Sequence, residues 1–153
     1  MSSKADLLQQ VDGARDRLDA VLDRIDEVHG TWEGAVGTWS VVNLLQHMDG
    51  WLQEMVPPLE RLARGERPTA EGVDYSNVDE WNRGFVESRG ESSLADARAT
   101  ISASQAQFRA AIEAVADDRF GESKTVNRLV DGTAIEHYAE HTAQLEAFLG
   151  AEH

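Results

Sequence analysis

The sequence contains no cysteine. That absence removes disulfides, thiolate-bound metals, iron–sulfur clusters and cysteine nucleophiles from consideration. No run of residues alternates between apolar and polar over the length of a strand, so a sheet has no support. No apolar stretch approaches the ~20 residues that cross a bilayer. The opening Met-Ser-Ser-Lys-Ala-Asp-Leu-Leu lacks the apolar centre of a secretory signal. A cytoplasmic protein with no membrane partner is expected. Positive charge is scarce: 14 Lys+Arg stand against 28 Asp+Glu, a formal net charge of −14, and Lys4 and Lys124 are the only lysines. A field of that sign repels phosphate backbones, so no nucleic-acid partner is expected either. The 41% hydrophobic content and 27% charge nevertheless belong to a globular chain. A chain of this size buries about 70% of its unfolded surface without staples. One domain over residues 1–153 is expected.

What is present is helical periodicity. Leu7, Leu8, Val11, Ala14, Leu18, Val21, Leu22, Ile25 and Val28 recur at spacings of three and four, which is one stripe of an amphipathic helix. Three glycines between His29 and Gly37 then predict a loop. Ser40 is placed to cap a second helix carrying Val41, Leu44, Leu45, Met48, Leu52, Met55, Leu59 and Leu62. Pro57-Pro58 predicts a kink or short break within it, and Gly65 its end. The stretch 65–77 is irregular. A short helix is expected over 78–88, and a longer one from Ser93, whose pairing with Asp96 resembles a capping box. Residues 117–130 read as loop, with Thr133 and Glu136 forming a capping box for the last helix. Together these predict an all-α protein, a four-helix bundle with a short additional helix.

The chemistry-bearing residues are histidines. His137 and His141 stand four apart on a predicted helix, so both imidazoles share a face and can bind one metal ion. Hydrogen bonds to a core hydroxyl or carbonyl would satisfy the same pair. His47, at the edge of the second helix's stripe, is a third candidate, since bundle interiors build metal sites from facing helices. His29, at a helix end, reads as a cap favoured by the macrodipole. His153 is the final residue and is expected to be mobile. The string His137-Tyr138-Ala139-Glu140-His141 matches a His-x-x-Glu-His protease signature. That reading is set aside, because such enzymes take a further carboxylate from well downstream and only twelve residues follow His141.

Trp39-Ser40-Val41-Val42-Asn43-Leu44-Leu45-Gln46-His47-Met48-Asp49-Gly50-Trp51 resembles the second-helix motif of the DinB-like four-helix bundles, and the later His-x3-His matches His137 and His141. The resemblance implies a DinB-like bundle with a long crossover loop, for which only residues 65–77 are long enough. It implies a metal triad of His47, His137 and His141 holding a divalent ion, zinc or nickel, with open positions for water or substrate. Relatives include transferases that use a low-molecular-weight thiol and the isomerase domains that use mycothiol. A further branch resembles the ClbS/DfsB resistance proteins, whose members need not keep the histidines. The resemblance also implies a homodimer. Two classes of function follow: a metal-dependent thiol transferase or hydrolase acting on a small molecule, or a non-catalytic protein that sequesters one.

The expected entry is a cleft between the loops 31–39 and 120–132, with Trp39, Trp51 and Tyr138 as its walls and substrate-binding residues. Helix N-termini there would favour an anionic or thiolate ligand. Each aromatic also reads as packing, as does Trp81. Glu140 reads as an exposed carboxylate or as a base beside the metal, and Asn43 and Asn82 as surface residues or ligand contacts.

Overall fold

Serine hydroxyls set where three long helices begin. The computed structural model describes residues 3–152, the last of these by its backbone alone, so the expectation for His153 lies outside the described residues. Ser3 accepts from the amide of Asp6 at the start of α1 (Lys4–Leu22), Ser40 from Asn43 at the start of α3 (Val41–Ala63), and Ser93 from Asp96 at the start of α5 (Leu94–Glu113). At α3 the cap is reciprocal, because the Ser40 amide donates to Asn43 Oδ1 at 3.1 Å. Each such bond satisfies a first-turn donor that has no partner within its helix.

The first stripe divides where the sequence predicts one helix. α1 stops at Leu22, and Asp26 starts a separate turn, α2 (Glu27–Gly30), by accepting from the His29 amide at 2.8 Å. Val28 is consequently exposed, while Leu7, Val11, Leu18 and Leu22 are buried. α3 runs through Pro57 and Pro58 without a break. It ends as expected at Gly65, whose φ of +79° is left-handed. There Glu66 N–H reaches Arg61 O at 2.9 Å and Gly65 N–H reaches Leu62 O at 3.0 Å, closing the last turn. The irregular stretch that follows crosses to α4 (Val78–Arg89), the short additional helix.

The last helix differs most from expectation. Residues 117–130 are not all loop: α6 (Thr125–Val130) begins after Lys124 and leads through a π-helical turn, Asp131–Ile135, into α7 (Glu136–Glu152). Thr133 is no cap, since its hydroxyl donates to Leu129 O at 2.8 Å from within the helix. Val126, Val130 and Ala134 extend the buried stripe backwards, and that burial overrides the local capping signal. The extra residue of the π-turn, where Glu136 N–H donates to Asp131 O, resets the register just before His137.

α3 packs chiefly on α5, and α1 on α7, with Phe108, Ile101, Met48, Leu45 and Tyr138 fully buried between them. α4 buries no residue completely and docks chiefly on α3. Discrete contacts hold it there. Arg89 Nε donates to Asp49 Oδ2 at 2.7 Å, Arg89 Nη2 to Gln53 Oε1 at 2.9 Å, and Gln46 Nε2 to Gly90 O at 2.7 Å. The result is a four-helix bundle with α4 laid along α3 beside the π-turn.

Candidate metal centre

His47 sits in the second turn of α3, and His137 and His141 occupy successive turns of α7. Their three Nε2 atoms converge. His47 Nε2 lies 2.9 Å from His137 Nε2 and 3.2 Å from His141 Nε2. An ion with nitrogen ligands at about 2.0–2.1 Å needs those nitrogens roughly 2.9 to 3.4 Å apart, depending on the bond angle, so the spacing fits.

The outer partners fix which nitrogen faces inward. His137 Nδ1–H donates to Thr133 O at 3.3 Å, and His141 Nδ1–H to Gln144 Oε1 at 2.6 Å. A neutral ring whose Nδ1 carries the proton presents a lone pair at Nε2, which is the state a metal requires. His47 Nδ1 is buried and has no hydrogen-bond partner among the described residues. Trp39 covers that ring, with centroids 5.0 Å apart. The triad could hold a metal ion.

Burial first, and then repulsion from His137 and His141, pushes His47 down to about 3. Burial and His141 push His137 down to about 4, and burial lowers His141 as well. All three therefore stay neutral at pH 7 in the metal-free fold. Below the ordinary imidazole value of 6.5 the unfolded chain takes up protons that the folded chain refuses. The metal-free protein should accordingly lose stability as the pH falls from about 6.5 to between 4 and 3, and show no contribution from these groups above 6.5. Thermal melts across that range check this. A variant with His47 and His137 both replaced by Gln should show a flatter acid limb.

The histidines form the floor of an open cleft of about 490 Å³. Its other lining residues are Trp51 and Met55 from α3, Tyr75 from the crossover stretch, Val78 and Asn82 from α4, Gly132 and Thr133 from the π-turn, and Glu140. The cleft thus opens between α3, α4 and the π-turn, not between the loops 31–39 and 120–132. Because α6 and α7 are continuous through the π-turn, no free helix N-terminus stands beside His137 to attract an anion.

Among the expected walls, Trp51 lines the cleft, and its Nε1–H donates to Asn82 Oδ1 at 2.6 Å. Tyr138 does not line it: the ring is 0% exposed in the core, and its hydroxyl donates to Gln105 Oε1 at 2.7 Å. About 100° round the helix from His137, it turns toward Gln105 of α5. Trp39 backs His47 and does not line the cleft. His29 bonds Asp26 through Nδ1 at 2.7 Å, remote from the triad. Tyr75, Met55 and Val78 went unrecognised. Tyr75 lies in a stretch without periodicity, so only the crossover's path shows that it reaches the cleft. A second groove of about 520 Å³, lined by Asp74, Glu80, Trp81 and Phe85 among others, runs along α4 and gathers no histidine.

A family model for the DinB superfamily matches residues 10–145. No curated protein matches the chain by sequence. Among solved structures, the colibactin self-resistance protein ClbS in complex with a dsDNA superposes with a TM-score of 0.82 at 19% identity, covering 97% of this chain and 96% of that one. The sibling lethal factor precursor DfsB gives 0.82 at 15% identity, covering 98% and 96%. An uncharacterised protein from Escherichia coli UTI89 gives 0.80 at 21% identity, covering 98% and 94%. At these identities the likeness concerns the fold. The ClbS complex does correct the exclusion of nucleic acid made from net charge, because a protein of this fold is seen with double-stranded DNA. Net charge is a sum over the surface and does not decide what one face can contact.

Proposed function

We propose that this chain, which belongs to the DinB superfamily, binds a divalent metal ion through His47, His137 and His141 and acts there on a small molecule as a thiol transferase or hydrolase. The observation that carries the reading is the convergence of three inward-facing Nε2 atoms at the floor of an open cleft. Three neutral nitrogens suit zinc or nickel and leave positions for water, thiol or substrate. A bound divalent ion supplies Lewis acidity and lowers the pKa of a ligated water or thiol toward about 7.

The chain's own residues do the rest. Thr133 O and Gln144 hold the two α7 imidazoles in one tautomer and orientation. Trp51, Met55 and Val78 give the cleft an apolar side that excludes water from one face of a bound ligand. Glu140 lies at the same cleft, next in sequence to His141.

The test uses the purified protein with small thiols and an activated aryl halide, and separately with activated esters. A rate above background should disappear on chelation and return with zinc or nickel. A rate that chelation leaves untouched, or no rate in any metal-loaded sample, would count against the catalytic reading. The likeness to ClbS and DfsB favours a second one, in which the same cleft sequesters a reactive small molecule without turnover. On that reading duplex DNA is a partner worth testing, by anisotropy of a labelled duplex at low and physiological salt.

A further inference from the structure

Among the described residues Glu140 is the one carboxylate that lines the cleft, and no lysine or arginine lines it. Its aromatic wall consists of Trp51 and Tyr75, with ring centroids 5.8 Å apart and planes tilted by 58°. The Tyr75 hydroxyl donates to Glu54 Oε2 at 2.7 Å, which places a second carboxylate at the end of that ring. A phenol that donates to a carboxylate carries more electron density on its ring face, and that face attracts cations electrostatically. Both rings are held before any ligand arrives. Trp81 packs against Tyr75 at 4.9 Å and against Trp51 at 6.1 Å, and Asn82 fixes the Trp51 indole. Preordered rings lose little entropy on binding. The net charge of −14 adds a long-range field of the same sign.

We infer that Glu140 and the Trp51–Tyr75 wall form a subsite for an organic cation, the ammonium or guanidinium head of a small ligand whose other end reaches the histidines. The assignment of that other end rests on the proposed metal centre, whereas the cation subsite uses none of the three imidazoles. A ligand matching the whole cleft carries a cationic nitrogen at one end and an electron-pair donor, such as a thiol or carboxylate, at the other. A ligand with an anionic head at the rim would meet Glu140 with no basic residue to offset it.

The test compares choline with its neutral isostere 3,3-dimethylbutan-1-ol, titrated into metal-free protein and followed by the Trp51 indole N–H resonance and by calorimetry. Choline should shift that resonance and bind about tenfold more tightly than the alcohol, as a cation over two ring faces beside a carboxylate requires. Glu140→Gln, at an exposed position, and Tyr75→Leu, on the crossover stretch, should each weaken choline several-fold and leave the alcohol unchanged. Equal affinity for the two probes, or no binding of choline, would overturn the subsite. Metal content is measured on the same samples, which separates the two readings. Choline binding without metal uptake sustains the subsite and removes the metal centre. Metal uptake with equal affinity for the two probes does the reverse.

Discussion

Replacing any one of His47, His137 or His141 by alanine should lower divalent-metal affinity by about a hundredfold or more, whereas His29→Ala leaves it unchanged. Loss of an outer partner of a metal-bound histidine alone costs 10- to 100-fold, so loss of a ligand sets a higher floor. His29, on α2, provides the control because it is bonded to Asp26 and does not line the cleft. Thr133 contributes to the site through its backbone carbonyl, and its side chain is bonded to Leu129 O. Thr133→Val should therefore cost far less than any histidine substitution. Competition against a chromogenic chelator measures the parent and the five variants on one scale, with circular dichroism confirming that each remains helical. Similar affinities for His29→Ala and His47→Ala would show that the three imidazoles do not act together.

Gly50→Ala should destabilise the protein and loosen the cleft, even though alanine is the better helix former by about 1 kcal/mol. A Cβ at this position in α3 would lie 2.2 Å from Phe85 Cγ, 2.5 Å from Cδ1 and 2.6 Å from Cβ. The Phe85 Cβ is fixed by the backbone, so no rotamer change clears it and α4 itself must move. Overpacking of this kind costs typically 1–3 kcal/mol, outweighing the gain in propensity. The displacement also pulls on Arg89–Asp49 and Trp51–Asn82, the contacts that seat α4 beside the histidines. Denaturant melts should show the loss, and the Trp51 indole resonance should broaden or shift. In a double-mutant cycle Phe85→Ala should cost less in the Gly50→Ala background, with incomplete relief because the Phe85 Cβ remains. A Gly50→Ala protein as stable as the parent would mean that α4 docks differently.

The histidines were legible because a ligand pair four apart on one helix is a local pattern, and the third lies in a motif that resembles a known family. Ser40, Ser93 and Gly65 were legible for the same reason, since each acts within a turn of its own position. The beginning of the last helix was misread because the local signal of Thr133 with Glu136 competes with burial of Val126 and Val130 and loses. Tyr138 was misplaced because it neighbours both histidines in sequence, whereas Gln105, a partner 33 residues away on α5, holds its hydroxyl in the core. The rest of the cleft was hidden for a different reason. Tyr75 and Val78 reach it only because the crossover and α4 lie along α3, and contacts between distant segments leave no periodic trace in the sequence.

One chain should hold one divalent ion on His47, His137 and His141. Elemental analysis of protein purified without a histidine tag, at neutral pH and without added metal, tests it most directly. Close to one equivalent of zinc or nickel per chain is expected in the parent and less than a tenth of that in a His47→Ala/His137→Ala variant, on the order of the affinity loss expected when ligands are removed. Parent protein that carries no divalent metal and takes none up on dialysis against zinc or nickel, or a variant as metal-rich as the parent, would contradict it.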